Sequence, residues 1–335
     1  ATRRIKLTRA LAYNIVGRRL GRIARQDNAP FVGASIGRSA VYRIANQSVL
    51  NVATRDGEWQ RGLSAAEREV RAALRYGFTK AELAEQLANF ATGYENAVLG
   101  QQTRPNDQLA DQILAMAKDG MIVTTPESQR ERFGALRDTL TPKILLKALR
   151  EDFGTLDKPL IHLSTKVDPA GGAQKVKTAF ADTQKTKVAK PEARDAQAFA
   201  YQDFGAPGTV VADSTIDDLG IRTVRFANNV RLNIKKTDFD KNRVLVSLRI
   251  DGGDLLASRD NPEATSLMNI FVRGGLEAHS LDDLYSIFAG RAVSLNFGSG
   301  EDYLGGYLAT TPDDLKLQMQ VLTAFTTHPG YRSEA

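Results

Sequence analysis

The residues best suited to catalysis or metal binding are few and scattered. The chain has three histidines, His162, His279 and His328, and no cysteine. A hydrolytic zinc site needs several protein ligands around one ion and a base for the attacking water. Two histidines at positions i and i+4 of a helix would supply that geometry, but no two of these histidines are near each other in the sequence. We expect structural roles for all three, and a site assembled from distant residues stays open.

One serine lies in a pattern that hydrolases use. Residues Gly33–Gly37 read Gly-Ala-Ser-Ile-Gly, which matches the nucleophile pattern Gly-x-Ser-x-Gly. That chemistry requires a sharp strand-to-helix turn, followed along the chain by an acid and a histidine. Ser35 instead falls early in an extended segment with no helix directly after it, and His162 is the one histidine that follows in the same half of the chain. We predict a strand here, and a serine hydrolase remains a further hypothesis about function.

Two glycine-rich stretches are better explained as turns than as ligand sites. Gly298–Gly300 lacks the third glycine of a dinucleotide fingerprint and the Lys-Ser/Thr of a phosphate loop. Asp251–Asp254 lacks the spacing and the closing glutamate of a calcium loop. Both stretches lie beside segments of alternating apolar residues, so we predict turns at strand ends.

The elements that would position these residues alternate between helix and strand in the first half of the chain. Apolar residues recur at helical spacing over residues 1–27, and residues 31–54 alternate as a strand does. Local capping signals mark three further helix starts: Thr79 with Glu82 forms a capping box, and Thr125 and Thr141 are each followed by proline.

The second half begins with strands. Asn228-Asn229 separates two alternating runs and indicates a hairpin. Further elements are predicted in the order strand, helix, helix, strand, strand, helix, and they cover Val244–Ile250, Pro262–Val272, Leu281–Ala289, Ala292–Phe297, Tyr303–Thr310 and a segment that starts near Pro312. Hairpins and helix pairs, without strict βαβ repeats, predict an α+β fold: two units of antiparallel sheet with helices packed on one face.

A change of composition divides the chain. The stretch from Lys185 to Ser214 is rich in lysine and shows no persistent period. An irregular loop of that length is unusual inside one domain and favours a boundary. We therefore predict one unit over residues 1–184, an interdomain linker over residues 185–215 and a second unit over residues 216–335.

Composition and charge narrow the classes of function. The hydrophobic fraction of 42% and the charged fraction of 25% are those of an ordinary globular protein. The net charge is +6, and basic residues are dense in the first helix, but no aromatic residues of the kind that stack on single strands lie between them. No apolar run approaches the roughly 18 residues of a membrane span. We expect neither nucleic acid nor membrane as a partner.

The stretch from Thr223 to Gly275 resembles the opening of a zinc metallopeptidase domain of the pitrilysin/insulinase family. The order is hairpin, long strand, helix and then Gly274-Gly275. In catalytic copies of that domain the helix carries the motif His-x-x-Glu-His. Counted back from Gly274-Gly275, the motif's places fall on Thr265, Met268 and Asn269, and none of these is the required residue type. The resemblance therefore implies a degenerate, non-catalytic copy with no catalytic residue and no zinc of its own.

The resemblance extends over most of the chain. Residues 1–184 resemble the C-terminal part of one such domain, and residues 216–335 resemble the N-terminal part of the next. In some such C-terminal parts an Arg and a Tyr a few residues apart hold substrate. Arg25 takes the first place, whereas Phe31 or Val32 falls at the second, so the resemblance implies at most an incomplete substrate contact.

This family suggests a function for the parent protein. The resemblance implies a zinc-dependent endopeptidase of four homologous domains whose two halves enclose a chamber, with zinc held in its catalytic domain. It implies the other domains of the same precursor and a peptide substrate as partners, and a periplasmic location. The alternative is a structural, inactive subunit of this fold with no protease activity.

Overall fold

The computed structural model describes residues 2–42, 44–118, 120–154, 156, 159–192 and 197–332. The α+β prediction is confirmed: helices are combined with small antiparallel sheets. None of the helices in these ranges is long and apolar enough to cross a bilayer.

The first unit contains seven α-helices and one hairpin within the described residues. In chain order these are α1 (Thr2–Ala24), β1 (Gly33–Val41), β2 (Ala45–Ala53), α2 (Trp59–Tyr76), α3 (Lys80–Leu99), α4 (Asn106–Lys118), α5 (Pro126–Arg137), α6 (Pro142–Phe153) and α7 (Gly172–Lys185). Strands β1 and β2 pair in antiparallel register from Gly33 opposite Ala53 to Val41 opposite Ala45. The predicted capping box is present, because Thr79 Oγ1 accepts the N–H of Glu82 while the Glu82 carboxylate accepts the N–H of Thr79.

One apolar core holds this unit together. Helix α1 contributes a stripe at helical spacing, of which Leu11, Ile15 and Leu20 are fully buried. Leu145 and Leu149 of α6 pack into the same cluster together with Phe31. Helix α1 is therefore the central element of the unit, and the polar face opposite its buried stripe is free to contact other parts of the molecule.

The second unit is built from two three-stranded sheets, two α-helices and short 3-10 helices among the described residues. Its strands are β3 (Val210–Ile216), β4 (Ile221–Phe226), β5 (Arg231–Lys235), β6 (Val244–Asp251), β7 (Gly298–Ser299) and β8 (Tyr303–Thr310), and its helices are α8 (Leu281–Ile287) and α9 (Leu315–Thr327). The sheets have the antiparallel orders β3-β4-β5 and β6-β8-β7. The predicted Asn228-Asn229 turn joins β4 to β5, with Asn229 in the left-handed region at φ 66°.

Two predicted elements of this unit are wrong. The helix predicted over Pro262–Val272 is a 3-10 helix over Ser266–Gly274. Its first turn is closed by the N–H of Met268 donating to the carbonyl of Thr265, which also accepts the hydroxyl of Ser299, so the i+4 pattern of an α-helix does not start here.

The strand predicted over Ala292–Phe297 does not form either. Side chains of the final helix region take its backbone groups: the N–H of Ala292 donates to Asp314 Oδ2 (2.7 Å), and the N–H of Ser294 donates to Gln318 Oε1 (2.7 Å). Gln318 Nε2 in turn donates to the carbonyl of Ser294 (3.1 Å). A backbone satisfied in this way has no need of a neighbouring strand.

The stretch predicted as a linker is pinned at both ends. Near its start, Arg71 Nη1 donates to the carbonyl of Thr186 (2.7 Å), and Tyr76 Oη donates to the carbonyl of Val188 (3.1 Å). Near its end, β3 begins at Val210 and pairs with β4. The division into residues 1–184, 185–215 and 216–335 stays a prediction, and β3 shows that regular structure of the second unit begins inside the middle range.

Candidate functional site at the contact between the two units

The places of the degenerate zinc motif lie around the start of the 3-10 helix. Thr265 is buried, and its hydroxyl donates to Asp254 Oδ1 (2.8 Å). Met268 packs against the apolar core of the second unit. The side chain of Asn269 lies outside what the structure describes. Because a 3-10 helix has three residues per turn, residues i and i+4 point about 120° apart, unlike the shared face of an α-helix.

These residues do not fit a zinc ion. Zinc in proteins is bound by cysteine, histidine or carboxylate, and neither a threonine hydroxyl committed to a carboxylate nor a packed thioether replaces them. Across the part of the chain that the structure describes, no group of three or more His, Asp or Glu side chains is placed to hold a metal ion.

The other residues singled out by chemistry lie apart. Ser35 is exposed as the third residue of β1, opposite Asn51, and the strand continues to Val41 where a nucleophile elbow would turn into a helix. His162 is exposed, His279 is buried in a loop before α8, and His328 ends α9. The structure does not bring Ser35 into a turn that could activate it.

Arg25, the predicted substrate contact, faces the second unit. It lies just after the end of α1, and its Nη2 forms an ion pair with Asp282 Oδ1 on α8. The guanidinium lies 5.7 Å from the centre of the Tyr285 ring. About a quarter of the side chain, 26%, is exposed. Arg25 therefore lies at a contact between the two units.

Arg18 joins the same contact and binds both units with one guanidinium. Its Nε donates to Glu85 Oε1 on α3 (3.1 Å), and its Nη1 donates to Asp282 Oδ1 (3.2 Å). Its Nη2 donates to the carbonyl of Asp282 (3.3 Å) and to Ser286 Oγ (3.4 Å), and its guanidinium lies 4.8 Å from the ring centre of Tyr285. Because the guanidinium donors form a planar fork, one arginine can hold two carboxylates in fixed directions.

We call this set the arginine clasp; it comprises Arg18, Arg25, Glu85, Asp282, Tyr285 and Ser286. Ser286 closes it from the second unit by donating its hydroxyl to Glu85 Oε2 (3.0 Å). Asp282 is well placed to accept two guanidinium groups, because it lies in the first turn of α8, where the helix dipole favours a negative charge.

Helix α3 extends the contact beyond the clasp. Asn89 Oδ1 accepts the N–H of Gly290 (2.8 Å), and Thr92 Oγ1 donates to the carbonyl of Gly290 (2.6 Å). A Cβ at Gly290 would lie 3.0 Å from the Cβ of Ala88, and the backbone there has φ +77°, so glycine is required for this close approach. Farther along, Asn242 Nδ2 donates to Asn96 Oδ1 (3.1 Å). The two units are thus joined along one side of α3 by polar contacts.

A cleft of about 410 Å³ opens beside the clasp, between α1, β1 and α3. Its lining includes the polar side chains of Asn14, Arg18, Ser35, Gln86 and Asn89. Amide and hydroxyl groups of this kind can donate to and accept from the backbone of an extended peptide.

The sequence indicated Arg25 but none of its partners. The signal available for α8 was the capping box Ser280–Asp283, which places Asp282 in a helix first turn. Nothing local connects that carboxylate to arginines more than 250 residues earlier, as the separations of 264 residues for Arg18 and 257 for Arg25 show.

No protein-family model matches the sequence. No curated protein matches it either.

The structure resembles solved proteases at low sequence identity. The ferredoxin protease FusC, solved in complex with Arabidopsis ferredoxin, superposes with a TM-score of 0.53 at 12% identity over 100% of this chain and 38% of that chain. The periplasmic protease PqqL from Escherichia coli has a TM-score of 0.47 at 17% identity, over 96% of this chain and 36% of its own. Pitrilysin has a TM-score of 0.36 at 14% identity, over 97% of this chain and 35% of its own.

At these identities the likeness concerns the fold alone, and of the three superpositions the one on FusC is close enough to carry it. The resemblance to pitrilysin/insulinase-type proteases that the sequence indicated is thereby confirmed at the level of fold. The chain has the fold of a segment of the protease FusC and spans 38% of that protein's length.

Proposed function

We propose that this chain is a non-catalytic segment of a pitrilysin-like zinc metalloprotease and forms part of the wall of its peptide-binding chamber. The parent protein would be a zinc-dependent endopeptidase whose zinc lies in another domain. Its partners would be the other domains of the same precursor and the peptide. The superposition of the whole chain on 38% of FusC supports this proposal.

The observation that carries the proposal is how the residues at the places of the degenerate zinc motif are engaged within the second unit. The hydroxyl of Thr265 donates to Asp254, and Met268 packs against the apolar core of the second unit. The 3-10 backbone through these residues also turns positions i and i+4 away from each other. Both features serve the packing of the second unit and leave no ligand set for an ion that would activate water.

The arginine clasp gives the segment a mechanical role in this proposal. A chamber wall made of two units keeps its shape only if the units keep their orientation, and the clasp fixes α1 and α3 of one unit against α8 of the other. Closure of domains around a substrate commonly gates turnover. Changes in the clasp would therefore alter peptide turnover through geometry.

A direct peptide contact by Arg25 stays part of the proposal. One Nη group of Arg25 is engaged by Asp282, and the exposed quarter of the side chain is what a peptide could reach. We also propose a periplasmic location, which rests on the sequence resemblance.

Cleavage of a fluorogenic peptide tests the proposal. The chain alone should cleave none, whereas a longer protein that contains it should cleave the peptide and lose that activity on treatment with a chelator. If the longer protein holds no peptidase activity, the structural-subunit alternative replaces the proposal. Peptide cleavage by the purified chain alone, whether or not a chelator abolishes it, would contradict the non-catalytic assignment.

A further inference from the structure

A short strap, Phe199–Gln202, docks on the second unit through aromatic contacts. Phe199 is buried, with its ring centre 5.3 Å from that of Phe288 and stacked 5.8 Å from the ring of His279. Tyr201 Oη accepts the N–H of Ala278 (2.8 Å). The strap belongs to the stretch that connects the two units, so its docking fixes where that connection meets the second unit.

His279 holds the backbone of the strap by one hydrogen bond. Its Nε2 accepts the N–H of Ala200 (2.9 Å), and the residue is only 4% exposed. Since Nε2 accepts, the neutral ring carries its hydrogen on Nδ1. Nδ1 is buried and has no hydrogen-bond partner among the described residues. A Cβ at Gly275 would lie 2.5 Å from the carbonyl oxygen of His279, so the glycine keeps this loop tight and the ring in place.

Protonation is incompatible with this arrangement. A second ring hydrogen would sit on Nε2 and point at the N–H of Ala200, so two donors would face each other where one hydrogen bond now exists. The charged ring would also lie under Phe199 in an apolar setting, and burial of a charge without a partner is costly. The accepted hydrogen bond and the burial of the ring both favour the neutral form.

We propose that His279 is a pH-sensitive clamp, which holds the strap Phe199–Gln202 on the second unit while the ring is neutral and releases it when the ring is protonated. This device is independent of the proposed function, because it needs only the connection between the two units. At the other end, Arg71 and Tyr76 hold that connection by donating to the backbone carbonyls of Thr186 and Val188.

Burial sets this direction for His279, and the charges around the ring act in both directions. The titratable and charged groups nearby are Asp283 on α8, Glu277 in the same loop, Arg332 after α9, His328 at the end of α9 and Tyr201 on the strap. Burial lowers the pKa of His279 below 6.5; the charge of Asp283 opposes this, and the charge of Arg332 adds to it.

The sign of the pH dependence follows from linkage. A folded-state pKa below 6.5 means that docking is fully favourable above pH 6.5 and is lost as the pH falls toward the lower pKa of the docked ring. As the pH falls between these two values, the opening equilibrium of the strap should rise by at most about tenfold for each pH unit.

NMR of the ring nitrogens in the full chain tests the clamp, since the chain has only three histidines. Labelled histidine should show one ring in the Nδ1–H form at pH 7.5, assigned to His279 by its loss in a His279→Gln variant, with a titration midpoint below 6.5. Amide hydrogen exchange of Phe199–Gln202, corrected for the intrinsic pH dependence, should speed up over the same range. The proposal would be overturned if His279 carried its hydrogen on Nε2 at neutral pH, or if the corrected amide exchange rate of Phe199–Gln202 did not change with pH.

Variants separate His279 from its neighbour. His279→Phe keeps an aromatic ring but no acceptor, so strap exchange should be fast at every pH. His279→Gln keeps an oxygen acceptor that does not titrate, so exchange should no longer depend on pH. His328 lies 5.0 Å from Tyr201 by ring centres, and His328→Gln should retain the response, as should the exposed control His162→Gln. A response that survives in His279→Gln or vanishes in His328→Gln would assign the switch elsewhere.

Discussion

Asp282→Asn is the change that tests the arginine clasp most simply. Asparagine keeps the shape of the side chain and removes the negative charge that Arg18 and Arg25 share. The two guanidinium groups then face each other across a neutral amide. The contact between the units should weaken while the core of each unit is left intact.

The magnitude follows from burial and from the number of charged hydrogen bonds. A hydrogen bond to a charged group contributes about 1.5–3 kcal/mol, and breaking a buried pair costs about 3–5 kcal/mol. The Asp282 side chain is 11% exposed, but those of Arg18 and Arg25 are 20% and 26% exposed, so water screens part of the loss. We expect Asp282→Asn to lower the free energy of unfolding by about 2 kcal/mol.

Urea unfolding followed by two probes measures this loss. Trp59 in α2 is the only tryptophan, so its fluorescence reports the first unit, whereas far-ultraviolet circular dichroism reports both units. The matched control is Asp313→Asn, which makes the same change of charge at an exposed position before α9. The difference between the two variants should shrink in 1 M salt, where the Debye length falls to about 3 Å.

A double-mutant cycle assigns the effect to the clasp. Arg25→Gln combined with Asp282→Asn should cost clearly less than the sum of the single changes, because each removes the same ion pair. If Asp282→Asn stays within about 0.5 kcal/mol of Asp313→Asn, or if the double change is additive, the clasp does not hold the units together and the reasoning fails.

Three further predictions follow from single features. Proteinase K should cut first within residues 203–209, which are exposed and precede β3, and should spare the docked Phe199–Gln202; early cuts within Leu63–Phe90 would place the boundary elsewhere. Ser35→Ala should leave any esterase activity of the purified chain unchanged, and a large loss of rate in a folded variant would revive the serine hydrolase. Burial alone would raise the pKa of Glu82, but the hydrogen bond and charge of Arg19 and the hydrogen bonds to Thr79 outweigh burial and hold that pKa below 4.5. The stability that the Glu82 carboxylate contributes is therefore present above pH 4.5 and is lost as the pH falls through the lower folded-state pKa. Glu82→Gln should flatten the acid side of a profile of unfolding free energy in urea against pH.

Local signals were sufficient where a structure is decided by neighbouring residues. The capping box of Thr79 and Glu82 begins α3 as predicted. Thr125 and Thr141 each accept the N–H of the residue three positions on, and a proline opens each helix. These starts depend on residues within one turn, so the sequence alone determines them.

Prediction failed where distant side chains compete for the backbone. Apolar residues do alternate over Ala292–Phe297, but the side chains of Asp314 and Gln318 accept the backbone N–H groups that a neighbouring strand would otherwise pair with. Similarly, Ser299 engages the carbonyl of Thr265 at the start of the 3-10 helix. A reading of local periodicity contains no information about such partners.

The candidate site was predictable only in part. Arg25 was identified through a family resemblance, whereas Asp282 and Tyr285 come from the other unit and belong to an ordinary capped helix. The β3 strand was missed because its residues are all exposed, so no buried face produced a signal.

Zinc content of the purified chain tests the central claim most directly. The chain should be prepared without chelators, exchanged into buffer with a slight excess of zinc, desalted and measured by mass spectrometry of the metal. Because Thr265 and Met268 are committed to Asp254 and to the apolar core, we predict far less than one zinc per chain. One tightly held zinc per chain, retained through desalting, would contradict the assignment of this chain as a non-catalytic segment.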